Sequence, residues 1–547
     1  MSVEPIERAR EAYAYPLLIK HLLHTPLAIA KDREIVYRDH VRLTYRQLRD
    51  RIGQLASGLA KMGVKPGDVV AVMDWDSHRY LECFFAAPMM GAVLQTVNIR
   101  LTHEQILYTL NHARPKIPLV NAEFLPIVEA LADRIESVEK YVLISDEPHA
   151  APSAVPFDCE YEILLLSGEA DFAFPDFDEN ARATTFYTTG TTGLPKGVSF
   201  SHRQLVLHTL AETAALALAP AQGRLHRDDV YMPMTPMFHV HAWGVPYAAT
   251  MAGLKQVYPG RYTPESLMRL KQREGVTFSH CVPTILHMIL SHPDSAAYDL
   301  SNWKVIIGGS ALPTGLAEAA LARGIDVFAG YGMSETCPIL TLAHVKPELL
   351  KDAADQGVGL RVKTGLPIPL VDLRIVDSDM KDAPHDGKAT GEIVARAPWL
   401  AQAYLNNPEA SNALWAGGWL HTNDIANIDA QGYVQVTDRL KDVIKTGGEW
   451  ISSLEIEDLI SQHPLVSEVA VIGVKDPKWG ERPKALVVAK SGAAVDAEAI
   501  RAFLAGFAER GLISKYGVPQ EIELVEALIK TSVGKINKRA LRELFGG

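Results

Sequence analysis

Helix-period and buried-strand patterns alternate along most of this chain, and that alternation restricts its fold more than any other feature. The stretch "TYRQLRDRIGQLASGLAKMG" repeats apolar residues at helical spacing and stops on Gly63, a residue suited to a helix C-cap. "DVVAVMD" follows, a short apolar run bounded by charge that reads as a buried strand. "CFFAAPMMGAVLQTVN" repeats the unit as a buried helix and then another strand. A chain built this way is expected to be α/β, with parallel sheets covered by helices. No internal repeat or low-complexity tract interrupts the pattern.

At 547 residues the chain is too long for one hydrophobic core. Its texture changes near residue 438, where "TDRLKDVIKTGGEW" turns from charged to Gly-rich. An amphipathic helix ("SSLEIEDLISQH"), two strand-like runs ("EVAVIGV" and "KALVVAK"), another helix and a basic tail follow. The expected organisation is a large N-terminal domain over 1–438, a hinge at 439–441 and a small α+β C-terminal domain over 442–547.

The formal net charge of −11 argues against a nucleic-acid partner, which needs concentrated Lys and Arg. The four cysteines, Cys83, Cys159, Cys281 and Cys337, form no CxxC pair and are expected as reduced thiols. The N-terminus is acidic early and lacks a long apolar core, so no secretory leader is expected. The most apolar stretch, "CFFAAPMMGAVLQTV", is too short for a membrane span and contains Pro88. A cytoplasmic protein with no integral membrane segment is expected.

One loop has the composition of a phosphate cradle: "YTTGTTGLPKG", residues 187–197. Gly190 and Gly193 permit close backbone approach, Thr188, Thr189, Thr191 and Thr192 supply hydroxyls, and Lys196 supplies a cation. It is not a Walker A loop: counted from Gly190, the sixth position is Pro195, and Gly197 follows Lys196 where Ser or Thr would hold Mg²⁺. No protein-kinase set, G-x-S-x-G elbow or H-E-x-x-H motif is present.

The full string closely resembles the phosphate-binding signature of the adenylate-forming superfamily, which includes acyl-CoA synthetases, carrier-protein adenylation domains and luciferases. Further strings similar to that family's signatures recur in order: "MFHVHAW" at 237–243, "YGMSET" at 331–336, "GWLHTNDIA" at 418–426, "DRLKDVIKTGG" at 438–448 and "KTSVGKI" at 530–536. The resemblance spans nearly the whole chain, and it is closest to the fatty acid–CoA ligase branch.

The resemblance implies two half-reactions. A carboxylate attacks the α-phosphate of ATP to give an acyl-adenylate and pyrophosphate, and the thiol of coenzyme A then displaces AMP. Adenylation needs no general base, because a carboxylic acid is already ionised at neutral pH. It does bring two anions together, at a cost of roughly 4 kcal/mol per pair of unit charges at about 4 Å and an effective dielectric near 20. The resemblance assigns the answering cation to Lys535, and Mg²⁺ to Glu335 with Thr188 as a second contact. ATP or AMP would contact Thr188–Gly193, Lys196, Gly309, Ser310, Gly330, Tyr331, Gly332, Met333, Ser334, Thr336, Asp424 and Arg439. Tyr331 would offer its ring to adenine, and Asp424 with Arg439 would hold the ribose. His239 would stand beside the acyl group, with Trp243 as gate and Val282, Pro283 and Gly308 as walls. Lys441 is the implied hinge, and Lys445, Gly447 and Gly448 the implied path of the pantetheine arm.

Those acyl-wall residues offer neither a cation for a diacid nor an acid for an amine, which points to an apolar monocarboxylic acid, a medium-chain fatty acid first. Short, branched, sulfur-containing (methylthiopropionate-like) and aromatic acids are the alternatives, because His241 stands where relatives often have Asn and changes the polarity beside the gate. Loading of a separate carrier protein is a further alternative. The chain ends soon after Lys535 without a carrier module, which favours free CoA. A homodimer is expected from the resemblance alone.

Overall fold

A computed structural model describes residues 4–147, 153–188, 194–219, 222–351, 357–446, 449–510, 512–531 and 534–546. The opening alternation becomes structure as expected. Tyr45–Lys61 is helical, with Thr44 and Gln47 forming a reciprocal capping box at its start. Gly63 lies just beyond the end at φ +98°, the left-handed region open to glycine. The strand Val69–Met73 is buried at every position. The helix His78–Met89 and the strand Val93–Thr96 complete the second unit.

Two large sheets result. A seven-stranded sheet runs in the order Cys159–Glu160, Val142–Ile144, Ile117–Asn121, Val69–Met73, Val93–Thr96, Arg182–Tyr187 and Gly197–Ser201. Its pairs are parallel except the last, a hairpin whose mouth holds the phosphate-loop sequence. A nine-stranded sheet includes the adjacent parallel strands Phe278–Cys281, Trp303–Ile307 and Ile325–Gly332. Buried residues of both sheets and the helix His202–Leu218 share the largest core.

The alternation pattern did not anticipate a third sheet. Asp372–Val376, Gly391–Arg396, Leu420–Ile428 and Val434–Arg439 form a four-stranded antiparallel sheet. Its neighbouring strands are consecutive in the chain and antiparallel, so a reading that takes helix–strand alternation as the sign of a parallel sheet passes over it.

From Ile444 onward the described elements build a five-stranded sheet with two cores of their own. Their helices include Ser453–Ser461, Ala497–Glu509 and Lys538–Phe545. All four cysteines are free. Among the described residues no helix is long and apolar enough to cross a membrane.

Candidate active site

The hairpin Arg182–Tyr187/Gly197–Ser201 brings the two ends of the phosphate loop together. Thr188 donates its N–H to the Lys196 carbonyl at 3.0 Å, and the Lys196 N–H returns a bond to the Thr188 hydroxyl at 3.1 Å. Thr189, Gly190, Thr191, Thr192 and Gly193 lie outside the described residues. The Lys196 ammonium sits 4.6 Å from the centre of the Tyr404 ring, within cation–π range. Tyr404 in turn donates its hydroxyl to Glu335 Oε1 at 2.6 Å. Tyr404 thus links a predicted phosphate-binding lysine to the predicted metal ligand. Glu335 is buried, and its pKa is raised first by desolvation, against the opposing effects of Tyr404, Lys196 and Arg439.

Glu335 is positioned by the turn that follows the strand Ile325–Gly332. Thr336 folds its hydroxyl back into that turn, accepting from the Met333 N–H at 2.9 Å and donating to the Pro338 carbonyl. At Gly332 a Cβ would stand 1.7 Å from the Pro338 carbonyl oxygen, so only glycine fits the turn. Tyr331, Met333 and Ser334 lie partly exposed along this segment, and Gly330 packs on Ile306.

Asp424 and Arg439 face each other across adjacent antiparallel strands. Arg439 Nε lies 3.4 Å from Asp424 Oδ1, and Tyr331 donates its hydroxyl to Asp424 Oδ2 at 2.7 Å. The Arg439 side chain is 51% exposed, so the ion pair contributes only about 0–1 kcal/mol to stability. Its consequence is positional: a nearly buried carboxylate is held at a fixed angle beside the Tyr331 ring.

Lys535 comes from the far end of the chain. It precedes the basic helix Lys538–Phe545 and lies on a turn where the Thr531 hydroxyl accepts its N–H and its carbonyl accepts the Thr531 N–H. That turn docks on the start of the helix Pro283–Leu290: the Thr284 hydroxyl donates to the Gly534 carbonyl at 3.2 Å. A Cβ on Gly309 would meet Lys535 Cε at 3.0 Å, and φ of +81° there independently favours glycine. The Lys535 pKa falls to about 8, first by desolvation and then by Arg439, while Asp424 and Glu335 pull it back up. Lys535, Arg439, Asp424 and Glu335 therefore share one electrostatic environment.

The segment "MFHVHAW" closes the other side. Asp76 accepts the Met237 N–H at 2.7 Å and Thr96 donates to the Phe238 carbonyl at 2.9 Å, fixing its start. His239 is neutral, its pKa lowered to about 3 by desolvation and then by Lys535 and Arg100. The next four residues are left-handed, at φ +47° for Val240, +54° for His241, +48° for Ala242 and +61° for Trp243. Such backbone costs non-glycine residues roughly 1–2 kcal/mol each and is found where a ligand-binding geometry is over-determined. The turn presses the Trp243 ring against Gly308, where a Cβ would come within 3.0 Å, and rests it on His280 at 5.0 Å between ring centres. Val282 contacts both Gly309 and Gly534, and Pro283 opens the helix Pro283–Leu290. Ser310, two residues beyond Gly308, lies at the exit of the strand Trp303–Ile307.

These contacts bring together most of the predicted site: Lys196, Glu335, Tyr331, Asp424, Arg439, Lys535, Gly308, Gly309, Val282, His239 and Trp243. Lys445 sits on the C-terminal sheet with its N–H donated to Glu481, and Gly447 and Gly448 lie outside the described residues. Lys441 is exposed in the turn between Arg439 and the strand Ile444–Thr446. Tyr404 and Asp76 were missed by sequence reasoning. "AQAYLNN" and "MDWDSH" carry no local pattern that would reveal either.

Residues 26–405 match the AMP-binding enzyme family, and residues 455–535 match the AMP-binding enzyme C-terminal domain. The chain belongs to the AMP-binding enzyme family. It is an AMP-forming acyl-CoA synthetase, and that chemistry takes ATP and CoA as substrates. The long-chain-fatty-acid–CoA ligase of Thermus thermophilus is 41% identical, over 96% of this chain and 94% of its own. The 3-methylmercaptopropionyl-CoA ligase of Ruegeria lacuscaerulensis is 36% identical, over 97% of each chain. Among solved structures, an anthranilate CoA ligase bound to anthranoyl-AMP superposes with a TM-score of 0.85 at 25% identity, over 97% of this chain and 98% of its own.

Proposed function

We propose that this synthetase activates a medium-chain fatty acid, with Lys535 neutralising the approach of the carboxylate to the α-phosphate. The observation that carries this reading is the seating of Lys535 against Gly309, in the same electrostatic environment as Glu335, Asp424 and Arg439. In our assignment Lys196 and the loop Thr188–Gly193 hold the β- and γ-phosphates, Asp424 and Arg439 hold the ribose, and Tyr331 lies against adenine. Gly309, Ser310, Gly330, Gly332, Met333, Ser334 and Thr336 line the nucleotide. Neutral His239 borders the reacting carboxylate, with Trp243, Val282, Pro283 and Gly308 around the acyl group.

Mg²⁺ fits the residues present. Tyr404 occupies one Glu335 oxygen and no described residue donates to the other, which suits a cation that also takes phosphate oxygens and water. Thr188 would be the second contact, and when bound the ion would offset phosphate charge.

The relatives bracket the acid between a long-chain and a short sulfur-containing one, and the apolar wall is consistent with intermediate length. CoA would reach the adenylate past Lys445, Gly447 and Gly448 after the C-terminal domain, 442–547, turns about Lys441. The arrangement with Lys535 inserted corresponds to adenylation. We assign the enzyme to the cytoplasm and expect a homodimer.

The test is AMP and thioester formation across straight-chain, branched, methylthio and aromatic acids with ATP, Mg²⁺ and CoA. Highest kcat/KM on a medium-chain acid is expected; a clear preference for any other class contradicts the substrate assignment.

Two further outcomes follow from this geometry. Tyr404→Phe keeps the ring under Lys196 but leaves Glu335 short of one hydrogen bond, worth about 1.5–3 kcal/mol for a charged acceptor. Adenylation kcat/KM should fall roughly ten- to hundredfold, with the melting temperature separating this from a folding defect. Lys535 acts as a cation and loses its proton as pH rises through about 8. Adenylation kcat/KM should therefore be retained below that value and decline above it, while bound phosphate, which favours the protonated form, should move the fall in kcat to higher pH.

A further inference from the structure

Next to Trp243, under Gly244, the left-handed turn covers a second set of side chains that the reaction does not use. A Cβ on Gly244 would meet His208 Nδ1 at 2.9 Å and Glu212 Oε2 at 3.4 Å, so these two residues of the helix His202–Leu218 lie directly under the turn. Both are fully buried, with His208 Nδ1 and Glu212 Oε2 3.9 Å apart. His208 Nε2 accepts the Ile339 N–H at 3.2 Å, which leaves the proton on Nδ1. The Trp399 ring stands edge-on to His208 at 5.7 Å. His241, on the turn itself, is ringed by Phe84, Phe186 and Tyr247.

Five polar atoms in this set find no hydrogen-bond partner among the described residues: both Glu212 oxygens, both His241 nitrogens and Trp399 Nε1. Buried polar groups are almost always paired, so this concentration under a turn that carries a pocket-wall residue calls for a guest. Together the atoms offer both donors and acceptors. Burial keeps the set uncharged: the Glu212 carboxyl is pushed well up, and His208 and His241 are each lowered to about 3. An uncharged site gives no counter-charge to an ammonium or a carboxylate, whereas a hydroxyl can donate and accept at once.

We propose that Glu212, His208, His241 and Trp399 form a polar terminus of the acyl pocket, reached when the Trp243 side chain swings aside, and that the preferred acid carries a hydroxyl at its far end. This rests on the reading that Trp243 walls the acyl pocket. It revises the expectation of a wholly apolar acid: the wall residues are apolar, but the groups under the turn are not.

The test pairs each acid from hexanoate to decanoate with its ω-hydroxy counterpart, measuring AMP release with ATP, Mg²⁺ and CoA in the wild type, Glu212→Leu and Trp399→Phe. At one or more lengths the hydroxy acid should have the higher kcat/KM, by at least about tenfold, because a site built to bond a hydroxyl is left with unpaired groups by the plain analogue. Glu212→Leu should bring that ratio below one, and Trp399→Phe should reduce it. Preference for the plain acid at every length in the wild type overturns the proposal and leaves the ligase reading standing. A hydroxy preference untouched by a folded Glu212→Leu overturns the assignment to these residues. No AMP from any acid overturns both readings. If Glu212→Leu does not fold, the wild-type ratio and Trp399→Phe decide.

Discussion

Replacing Lys535 by Ala is expected to lower the rate of acyl-adenylate formation by about a hundred- to a thousandfold. A preorganised charged donor aimed at developing negative charge supplies around 3–4 kcal/mol in a water-poor site, and each 1.36 kcal/mol is tenfold in rate. Lys535 meets those conditions: it is desolvated, seated against Gly309, and still biased toward its charged form by Asp424 and Glu335. The loss should appear in kcat, because the charge is needed most as the anions approach. Supplied acyl-adenylate plus CoA should still give thioester at close to the wild-type rate, since that step starts after the α-phosphate has been attacked. Rapid-quench measurement of the two half-reactions checks this. Equal loss in both would mean that Lys535 supports the fold of its turn and not the adenylation step.

Glu335→Gln is the second large effect, expected at about a hundredfold or more in adenylation kcat. Glutamine preserves the shape and can still accept from Tyr404, so the change isolates the charge. The Mg²⁺ concentration for half-maximal activity should rise with it, because a neutral amide is a poor ligand for a hard cation. Thermal stability should change little or increase, since burying an amide costs less than burying a carboxylate. Titration of activity against Mg²⁺ checks the assignment; an unchanged metal dependence would place Glu335 outside the metal shell.

The legible parts of this site were those with strict local demands. Gly332 must be glycine because a carbonyl occupies the space of its Cβ, and such constraints leave recognisable strings. Asp424 and Arg439 lie fifteen residues apart, yet one hairpin pairing sets them opposite each other. Lys535 is distant in sequence, but its Gly-Lys turn is distinctive. Tyr404 and Asp76 are different: each acts through one long-range hydrogen bond, and nothing in their neighbourhoods announces it. Glu212 is hidden for another reason. It occupies a helix position that packing requires to be inward, so the strand and helix periodicities treat it as an interruption in an apolar face. The parallel sheets followed from helix–strand alternation, whereas the sheet 372–439 pairs consecutive strands antiparallel, an arrangement that the alternation does not encode.

Attack of the acid's own oxygen on the α-phosphorus of ATP can be followed by supplying the acid with both carboxylate oxygens labelled as oxygen-18 and analysing the nucleotide product by mass spectrometry. One carboxylate oxygen becomes the bridge to phosphorus and stays with AMP when the thiol takes the acyl carbon. One labelled oxygen is expected in each AMP released and none in pyrophosphate. Label in inorganic phosphate, with ADP as the nucleotide product, would rule out that attack.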